Sequence, residues 1–489
     1  MKSSETDLKR DGFVASVYLL IALTVLQKGL GFVRSIIICR HLEPEQLGLW
    51  SMTLTFMETF VPLLILSIPA CFGRYFEHFE NRQQLKSFVK QSALLIGACF
   101  PIGVVCLYLF RESLASVVFG GAQHSSMLVT SLFVVIPFSV FGVLVSMLTG
   151  MRKSQSRTIG EFVNGTSFTV LAILLVVFGK ASAFSIAYAF AGSYAVASLY
   201  AWTRVRRIYQ SLADDSKPLV WRGTWRKLAP VIFIFWLCDF LTNLFFTVDR
   251  YMIINFSSES FGEPLQQVGN YEAAHVMPLL FSSFMAIVAK VLLPYLSKDW
   301  EAGNRQAVVT KVNLSIKIGG IALLVGSTCF LWFSEFLFET LFKGKYDGGL
   351  EVLPFIVFFY VGSAMSFLIL NYFWCCEKGS YSIAALVSGL VVNVLINGLL
   401  IKTYGIYGAA IGTAAAVTTQ FLFLWLSSGI IGLKLDGRVF LVYVISGTLL
   451  LSPFWATIGT SMIVVMSLAG VLLTREEWRL IRREGFETH

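Results

Sequence analysis

Residues 13–39 read FVASVYLLIALTVLQKGLGFVRSIIIC, and this run decides what kind of protein the chain is. A helix rises about 1.5 Å per residue, so about 20 apolar residues cross the roughly 30 Å hydrocarbon core of a bilayer. The run exceeds that length and the apolar core of a signal peptide, and no small-residue cleavage site follows it. It is read as a spanning helix behind a polar tail, Met1 to Asp11, that carries Lys9 and Arg10. The same rule places spans at 14–38, 47–70, 90–110, 127–150, 158–178, 184–203 and 229–255. Seven more fall at 269–294, 312–333, 350–373, 381–401, 407–430, 439–456 and 458–474, the last two parted only by Ser452-Pro453 and Gly459. The expected fold is therefore an all-α polytopic membrane protein of about fourteen transmembrane helices, because a helix satisfies its own backbone hydrogen bonds inside lipid.

Composition points the same way. Of 489 residues, 56% are hydrophobic and only 14% charged, against roughly 25% charged in a soluble domain. The eight Cys lie mostly in apolar segments, where Cys acts as a small hydrophobe. The adjacent pair Cys375-Cys376, in an expected cytoplasmic loop, reads as reduced thiols. The net charge of +9 is a topology signal rather than a nucleic-acid footprint. With the N-terminus inside, most of the 38 Lys and Arg fall in cytoplasmic loops. Examples are Arg74/Arg82/Lys86, Arg152/Lys153/Arg157, Arg204/Arg206/Arg207 and Arg475/Arg479/Arg482/Arg483. Both termini are thus expected in the cytoplasm. The tail from Arg475 to Arg483 reads equally as an amphipathic surface helix or as a solvated basic end.

A basic connector at 211–228 divides the chain into an N-terminal lobe (1–210, six helices) and a C-terminal lobe (229–432, six helices). Residues 433–489 add two helices and the basic tail. The lobes look weakly alike. Pro69 followed by Asn81-Arg82-Gln83 matches Pro294 followed by Asn304-Arg305-Gln306. Ala189-Phe190-Ala191-Gly192-Ser193 matches Ala410-Ile411-Gly412-Thr413-Ala414, small residues that let helices approach. A six-helix offset preserves orientation, so this is a pseudo-symmetric parallel repeat.

Ionisable residues inside spans cost at least about 2.5–3.5 kcal/mol and mark cavities or partners. Lys28 lies near mid-depth of the first span and Arg34 about 9 Å nearer its outer end. They read either as the wall of an anion-binding cavity or, for Lys28, as a structural ion pair with Glu58 of the second span. Asp239 sits at mid-depth of the seventh span, where a carboxylate serves ion coupling or hydrogen-bonds to Asn243 or a Thr. Asp249 and Arg250, near its outer end, read as an interfacial anchor or as site residues. His275 and Glu272 share that depth, and a lone His is most often a satisfied buried imidazole. Lys290 is expected to snorkel. No Walker A loop, metal-ligand spacing or nucleophile elbow occurs, so no cofactor, metal or ATP is expected and the chain is not read as an enzyme.

Four stretches resemble one family. They are Gly29-Leu30-Gly31-Phe32-Val33-Arg34 with Leu42-Glu43-Pro44-Glu45-Gln46-Leu47-Gly48-Leu49-Trp50, and Thr247-Val248-Asp249-Arg250-Tyr251-Met252-Ile253. The others are Leu293-Pro294-Tyr295-Leu296-Ser297 with Gly303-Asn304, and the run Tyr404-Gly405-Ile406-Tyr407-Gly408-Ala409-Ala410-Ile411-Gly412-Thr413-Ala414. In this order, across about 14–430, they resemble the Wzx-type polysaccharide flippases, of the superfamily that also holds lipid II flippases and multidrug antiporters. The resemblance implies two lobes facing a central cavity and alternating access in a bacterial inner (plasma) membrane. The implied substrate is a polyprenyl-diphosphate-linked oligosaccharide moved to the outer leaflet for cell-surface polysaccharide biosynthesis. Glycosyltransferases and a polymerase of the same pathway are the implied partners. Lipid II flippases resemble the chain around Lys28 and Arg34 but carry two arginines there. An arginine of their eighth helix aligns near His275, which argues gently against a peptidoglycan precursor.

On this reading Lys28, Arg34, Arg250 and His275 bind the diphosphate, and Glu58, Asp239 and Asp249 serve gating or ion coupling. A multidrug/cation antiporter of the same fold is the alternative, predicting a more acidic cavity. A membrane glycosyltransferase, ligase or polymerase would need a larger outer loop than any here.

Overall fold

The structure, a computed structural model, describes residues 13–212, 214–215, 219–376, 378–474 and 477–478. The polar tail at 1–11, the side chains of Lys290 and Cys375, part of the 211–228 connector and most of the 475–483 tail lie outside the described residues. The described residues form sixteen α-helices and no strand. Two compact units result, Met1–Asn255 and Phe256–His489. The expected boundary at 211–228 follows the repeat, whereas contacts leave the helix that begins at Trp221 with the first unit.

The first unit holds α1 (Phe13–His41), α2 (Pro44–Leu64), α3 (Ile68–Asn81), α4 (Leu85–Leu109) and α5 (Arg111–Phe119). It continues through α6 (Ser125–Gly150), α7 (Ser154–Ile173), α8 (Ala183–Ser211) and α9 (Trp221–Phe256). Glu43 enters α2 in an extended conformation and Pro44 occupies its first turn, where its missing N–H costs nothing. Gln46, one turn on, accepts the Ala183 N–H at the start of α8 at 3.0 Å. The second span was expected over 47–70 and stops at Leu64 instead. Leu66 and Ser67 take positive φ there, and Pro69 opens α3. Pro69 has no N–H to continue the α2 ladder and its ring would clash with the carbonyl four residues back, so the apolar run breaks although its hydrophobicity continues. Beyond the break, α3 is amphipathic. Phe72, Phe76 and Phe79 are buried at helical spacing, while Arg74, Glu77, His78 and Glu80 are exposed. Phe79 stacks on Phe88 of α4 at 4.3 Å, and Phe88 in turn lies 6.3 Å from Trp225 of α9.

The second unit holds α10 (Pro264–Val276), α11 (Leu279–Glu301), α12 (Arg305–Phe342) and α13 (Asp347–Cys375). It ends with α14 (Gly379–Ile430), α15 (Gly437–Ser446) and α16 (Pro453–Leu468). α10 and α11 are bent by 49° at Met277-Pro278, and taken together they are long and apolar enough to cross a membrane. The order of broken helix, short turn and long helix therefore occurs in each unit, with Asn81-Arg82-Gln83 and Asn304-Arg305-Gln306 at the two turns. α14 has 52 residues, too many for one crossing. It reverses at Gly405, whose φ of 54° and ψ of −133° suit only glycine. The two arms then touch so closely that a Cβ on Gly412 would lie 2.0 Å from the Asn397 amide oxygen.

Ten described helices are long and apolar enough to cross a membrane, and the bent pair makes an eleventh. The first twelve expected spans fall on described helices once α14 is divided at Gly405. The last two are the shorter apolar α15 and α16, whose break at Leu451-Ser452 lies inside the span expected over 439–456 rather than after it. The helices outrun the expected spans. α12 was expected over 312–333 and covers 38 residues, about 57 Å at the helical rise. A hydropathy rule finds only the stretch that matches the hydrocarbon core, and polar ends prolong the helix beyond it. Lipid-facing and core helices differ sharply. The most apolar window of α13 is 83% buried and that of α4 only 6%. Leu399, Phe178 and Ile430 are more than three-quarters exposed, an arrangement that belongs to a lipid-facing surface.

One charged cluster fastens the end of the chain to the second unit, and nothing in the sequence pattern singles it out. Lys317 of α12 is fully buried and donates to Asp436 at 2.5 Å and to Glu477 at 2.8 Å. Asn313, one turn earlier, accepts the Asp436 N–H at 2.8 Å and donates to the Lys434 carbonyl at 3.1 Å. Burial works against the Asp436 carboxylate, but the Lys317 hydrogen bond and the Arg438 N–H prevail and lower its pKa. Glu477 is lowered in the same way, against burial, by Lys317 and by the Thr474 N–H and hydroxyl.

A depressed carboxylate pKa adds stability above the group's ordinary pKa of about 4, and that stability is lost as pH falls through the folded value. The unfolding midpoint of the solubilised protein is thus expected to fall as pH drops from about 6 to about 3. Asp436→Asn with Glu477→Gln should flatten that slope and cost about 3 kcal/mol at neutral pH, since a buried ammonium loses both anions. An unchanged slope in the double variant would remove the cluster from the account of stability.

Candidate functional site

The charges that the sequence places inside spans meet three different fates. Arg250 of α9 is buried and fully engaged. Its Nε donates to the Ser51 hydroxyl of α2 at 3.1 Å and its Nη1 to the Phe246 carbonyl one turn back at 2.7 Å. Asp249 beside it is also buried, at 2% exposure. The alternative of an interfacial anchor fits neither burial. Three α9 side chains reach α2: Arg250, Tyr251 through the Thr59 hydroxyl at 3.3 Å, and Asn243 through the Glu58 carbonyl at 2.9 Å. The V-D-R stretch thereby joins α9 to the first unit.

His275 belongs to the second unit. It is buried, with Nδ1 2.9 Å from the Tyr360 hydroxyl and its ring edge-on to Tyr271 at 4.7 Å. Tyr271 in turn shares a 2.9 Å hydrogen bond with Thr413. This is a packed aromatic and polar core in which the imidazole is held by α10 and α13.

Arg34 is the exception. Its guanidinium lies 4.1 Å over the Phe168 ring, and its one hydrogen bond is a long 3.5 Å contact to the Thr169 hydroxyl. Among the described residues it makes no ion pair. Five N–H donors in a planar fork are thus served by one weak acceptor and one ring face. Tyr194 of α8 lies within its electrostatic reach, and Asn164, Glu58 and Glu161 lie within reach of Tyr194 in turn. α7 therefore supplies Glu161, Asn164, Phe168 and Thr169 from one helix, and Glu161 is tied to Arg157 at 2.9 Å. Lys28, six residues before Arg34, has an exposed side chain.

Aromatic rings hold this group of helices together. Trp50 of α2 is buried at 5.4 Å from Phe190 and 6.3 Å from Phe168, and Phe190 lies 4.6 Å from Tyr194. The tryptophan that closes the α2 stretch is thus the wall behind the Arg34–Phe168 contact.

Tyr194 also faces a cavity of about 370 Å³. The α2–α3 break lines it with Pro62, Ser67 and Pro69, α6 with Ser139 and Ser146, and α9 with Asp239. The Ser139 hydroxyl is buried with no partner among the described residues. Asp239 likewise makes no hydrogen bond or ion pair among them, and Asn243, one possible partner, points to Glu58 instead. Sequence reasoning found Arg34 and Asp239 and missed Tyr194, Asn164 and Ser139. Glu161 and Asn164, polar and three apart inside an apolar run, were the available signal.

Residues 13–300 match the family described as polysaccharide biosynthesis protein. An uncharacterized membrane protein of Methanocaldococcus jannaschii is 27% identical over 183 residues, 36% of this chain. That match spans about a third of the relative's length, 34%. Among solved structures, the lipid II flippase MurJ in an inward closed conformation is similar over 93% of this chain and 100% of its own, with a TM-score of 0.69 and 12% identity. An inward-facing multidrug resistance MATE family transporter of the MOP superfamily is similar over 86% of this chain and 100% of its own, with a TM-score of 0.65 and 15% identity. At such identities the likeness establishes the fold alone.

The two arginines should separate on substitution. Arg250→Gln gives up two hydrogen bonds from a charged donor and is expected to cost about 1.5–3 kcal/mol, read as a lower unfolding midpoint in micelles. Arg34→Gln loses one long contact and a ring face worth about 0.5–2 kcal/mol, and should sit nearer wild type. Equal losses would mean that Arg34 is as structural as Arg250.

Proposed function

The chain belongs to the polysaccharide biosynthesis protein family, and we propose that it flips a polyprenyl-diphosphate-linked oligosaccharide across a bacterial inner membrane by alternating access. The observation that carries this reading is Arg34, a guanidinium inside a span with no carboxylate beside it among the described residues. A planar fork with open donors suits a diphosphate, which accepts two parallel hydrogen bonds and supplies the missing negative charge. Lys28 adds a second cation on the same helix, at six residues' distance. Arg250, held by Ser51 and the Phe246 carbonyl, and His275 of the second unit are weaker candidates for that role. The fold shared with a lipid II flippase supports a lipid-linked substrate of this size.

The proposed lobes are the six helices within 1–210 and the six within 229–432, joined by the basic connector at 211–228 and followed by two helices and a tail at 433–489. The Lys and Arg bias supports cytoplasmic termini. Glycosyltransferases and a polymerase acting on the same lipid-linked glycan are the proposed partners. Asp239 favours a coupled mechanism: a carboxylate without a hydrogen-bond or ion-pair partner among the described residues, in a largely apolar cavity with three serines, is a place for a proton or a small cation. Glu58 and Asp249 are its proposed companions in gating. The same carboxylate supports the second reading, a cation antiporter, to which the likeness to multidrug transporters also lends weight.

The test is transfer of a fluorescent polyprenyl-diphosphate oligosaccharide in proteoliposomes, read by an external lectin. Wild type should expose the glycan, and Arg34→Ala should lose about 10- to 100-fold, the worth of a charge-assisted contact. Lys28→Ala should lose less, as a point charge replaces no fork geometry. A wild type that moves no glycan under any imposed gradient, yet extrudes cationic dyes, would put the antiporter in its place.

A further inference from the structure

A second cavity of about 370 Å³ lies in the first unit, away from Arg34, where the α3–α4 turn meets the start of α9. Its polar walls are Tyr75 and His78 of α3, Arg82 and Gln84 of the turn, and Thr224 and Lys227 of α9. Phe79, Leu219, Val220 and Leu228 give it an apolar side.

The walls are fixed by contacts of the connector's described residues. Asp215 accepts the Lys86 and Ser87 N–H groups at 3.1 and 2.6 Å and so caps α4. Asp214 pairs with the Lys86 ammonium at 2.7 Å, which holds its carboxyl below the usual range. Gln91 donates to the Leu219 carbonyl at 2.9 Å and accepts from the Trp225 indole at 3.1 Å.

Those bonds also decide the charge of the cavity. Asp214 and Asp215 are committed to α4, and Glu77 is committed to Arg152. Glu80 does not line the cavity. Arg82 and Lys227 make no hydrogen bond or ion pair through their side chains among the described residues. Two cations therefore face one apolar-sided pocket with no anion supplied by the described chain. Val220 and Trp221 at its edge are 70% and 43% exposed, and an exposed indole beside basic residues belongs at a membrane–water interface.

We propose that this pocket binds the phosphodiester headgroup of an anionic phospholipid. Arg82 takes two phosphate oxygens in parallel, Lys227 balances the charge, and the Tyr75 hydroxyl offers a further donor. Phe79, Leu219, Val220 and Leu228 cover the glycerol and the first methylenes of the acyl chains. A lipid seated there bridges α3, the α3–α4 turn and α9, beside the Phe79–Phe88–Trp225 stack that closes this end of the unit. The proposal does not rest on the nature of the transported substrate.

The test compares delipidated protein returned to dioleoyl phosphatidylglycerol or to dioleoyl phosphatidylcholine, with bound lipid counted by native mass spectrometry and unfolding followed in each. Wild type should retain phosphatidylglycerol about 10-fold better than phosphatidylcholine and unfold later in it. Arg82→Gln with Lys227→Gln should lose that preference while unfolding as wild type does in phosphatidylcholine, which shows that it folds. Arg82→Lys should recover part of it, and Lys90→Gln, outside the pocket, should keep all of it. The proposal is overturned if the double variant keeps the preference, or if wild type has none. Protection by 10 mM inorganic phosphate equal to that of the lipid would also overturn it, in favour of a soluble phosphate ligand.

Discussion

Inside hydrocarbon a backbone amide without a partner costs several kcal/mol, and every feature of this chain is arranged around that penalty. It makes the spans helical throughout and leaves few ways to end or bend one. The chain bends where the backbone can be excused: at Leu66-Ser67 before Pro69, at Met277-Pro278, and at Gly405. The same penalty applies to side chains. A charge inside a span must be neutralised by the protein, reach water, or await a ligand.

Three cations show how differently that penalty is met. Lys317 is neutralised outright, by two carboxylates from segments far along the chain. Arg250 is solvated by the protein itself, with a hydroxyl and a main-chain carbonyl in place of water. Arg34 has neither, and its long contact to Thr169 together with the Phe168 face is a partial substitute. Residue type and depth alone would rank the three alike. Their partners rank them, and the partners make Lys317 structural, Arg250 a fastening between α2 and α9, and Arg34 available.

This also explains which parts of the molecule were legible before any coordinates. Most spans were legible because the length of an apolar run is a local property, while the breaks inside them were not. The break at Leu66-Ser67 was not, since its apolar neighbours hide a backbone event that only Pro69 hints at. Arg34 and Asp239 stood out as charges in apolar runs. Tyr194 did not, because its place beside Arg34 depends on how α7 and α8 rotate about their own axes, which no local pattern records. Lys317 escaped for a related reason. Its partners lie 119 and 160 positions away, and only the folded unit brings them together.

Arg34 and Asp239 are opposite charges in one compact unit, and neither neutralises the other. If both served only stability, pairing them would lower the free energy of the unit, so their separation has to be maintained against attraction. Aromatic packing does this work on the arginine side, where Trp50, Phe168 and Phe190 hold α2, α7 and α8 in register. On the carboxylate side the α2–α3 break opens the cavity that Asp239 lines. Tyr194 touches both settings, as a wall of that cavity and as an electrostatic neighbour of Arg34. Under the proposed function, an anion arriving at Arg34 and a proton or cation arriving at Asp239 would each alter the field felt by the other. Thermodynamic linkage then requires the effect to be reciprocal, so a gradient of the small ion could bias binding of the large one without ATP.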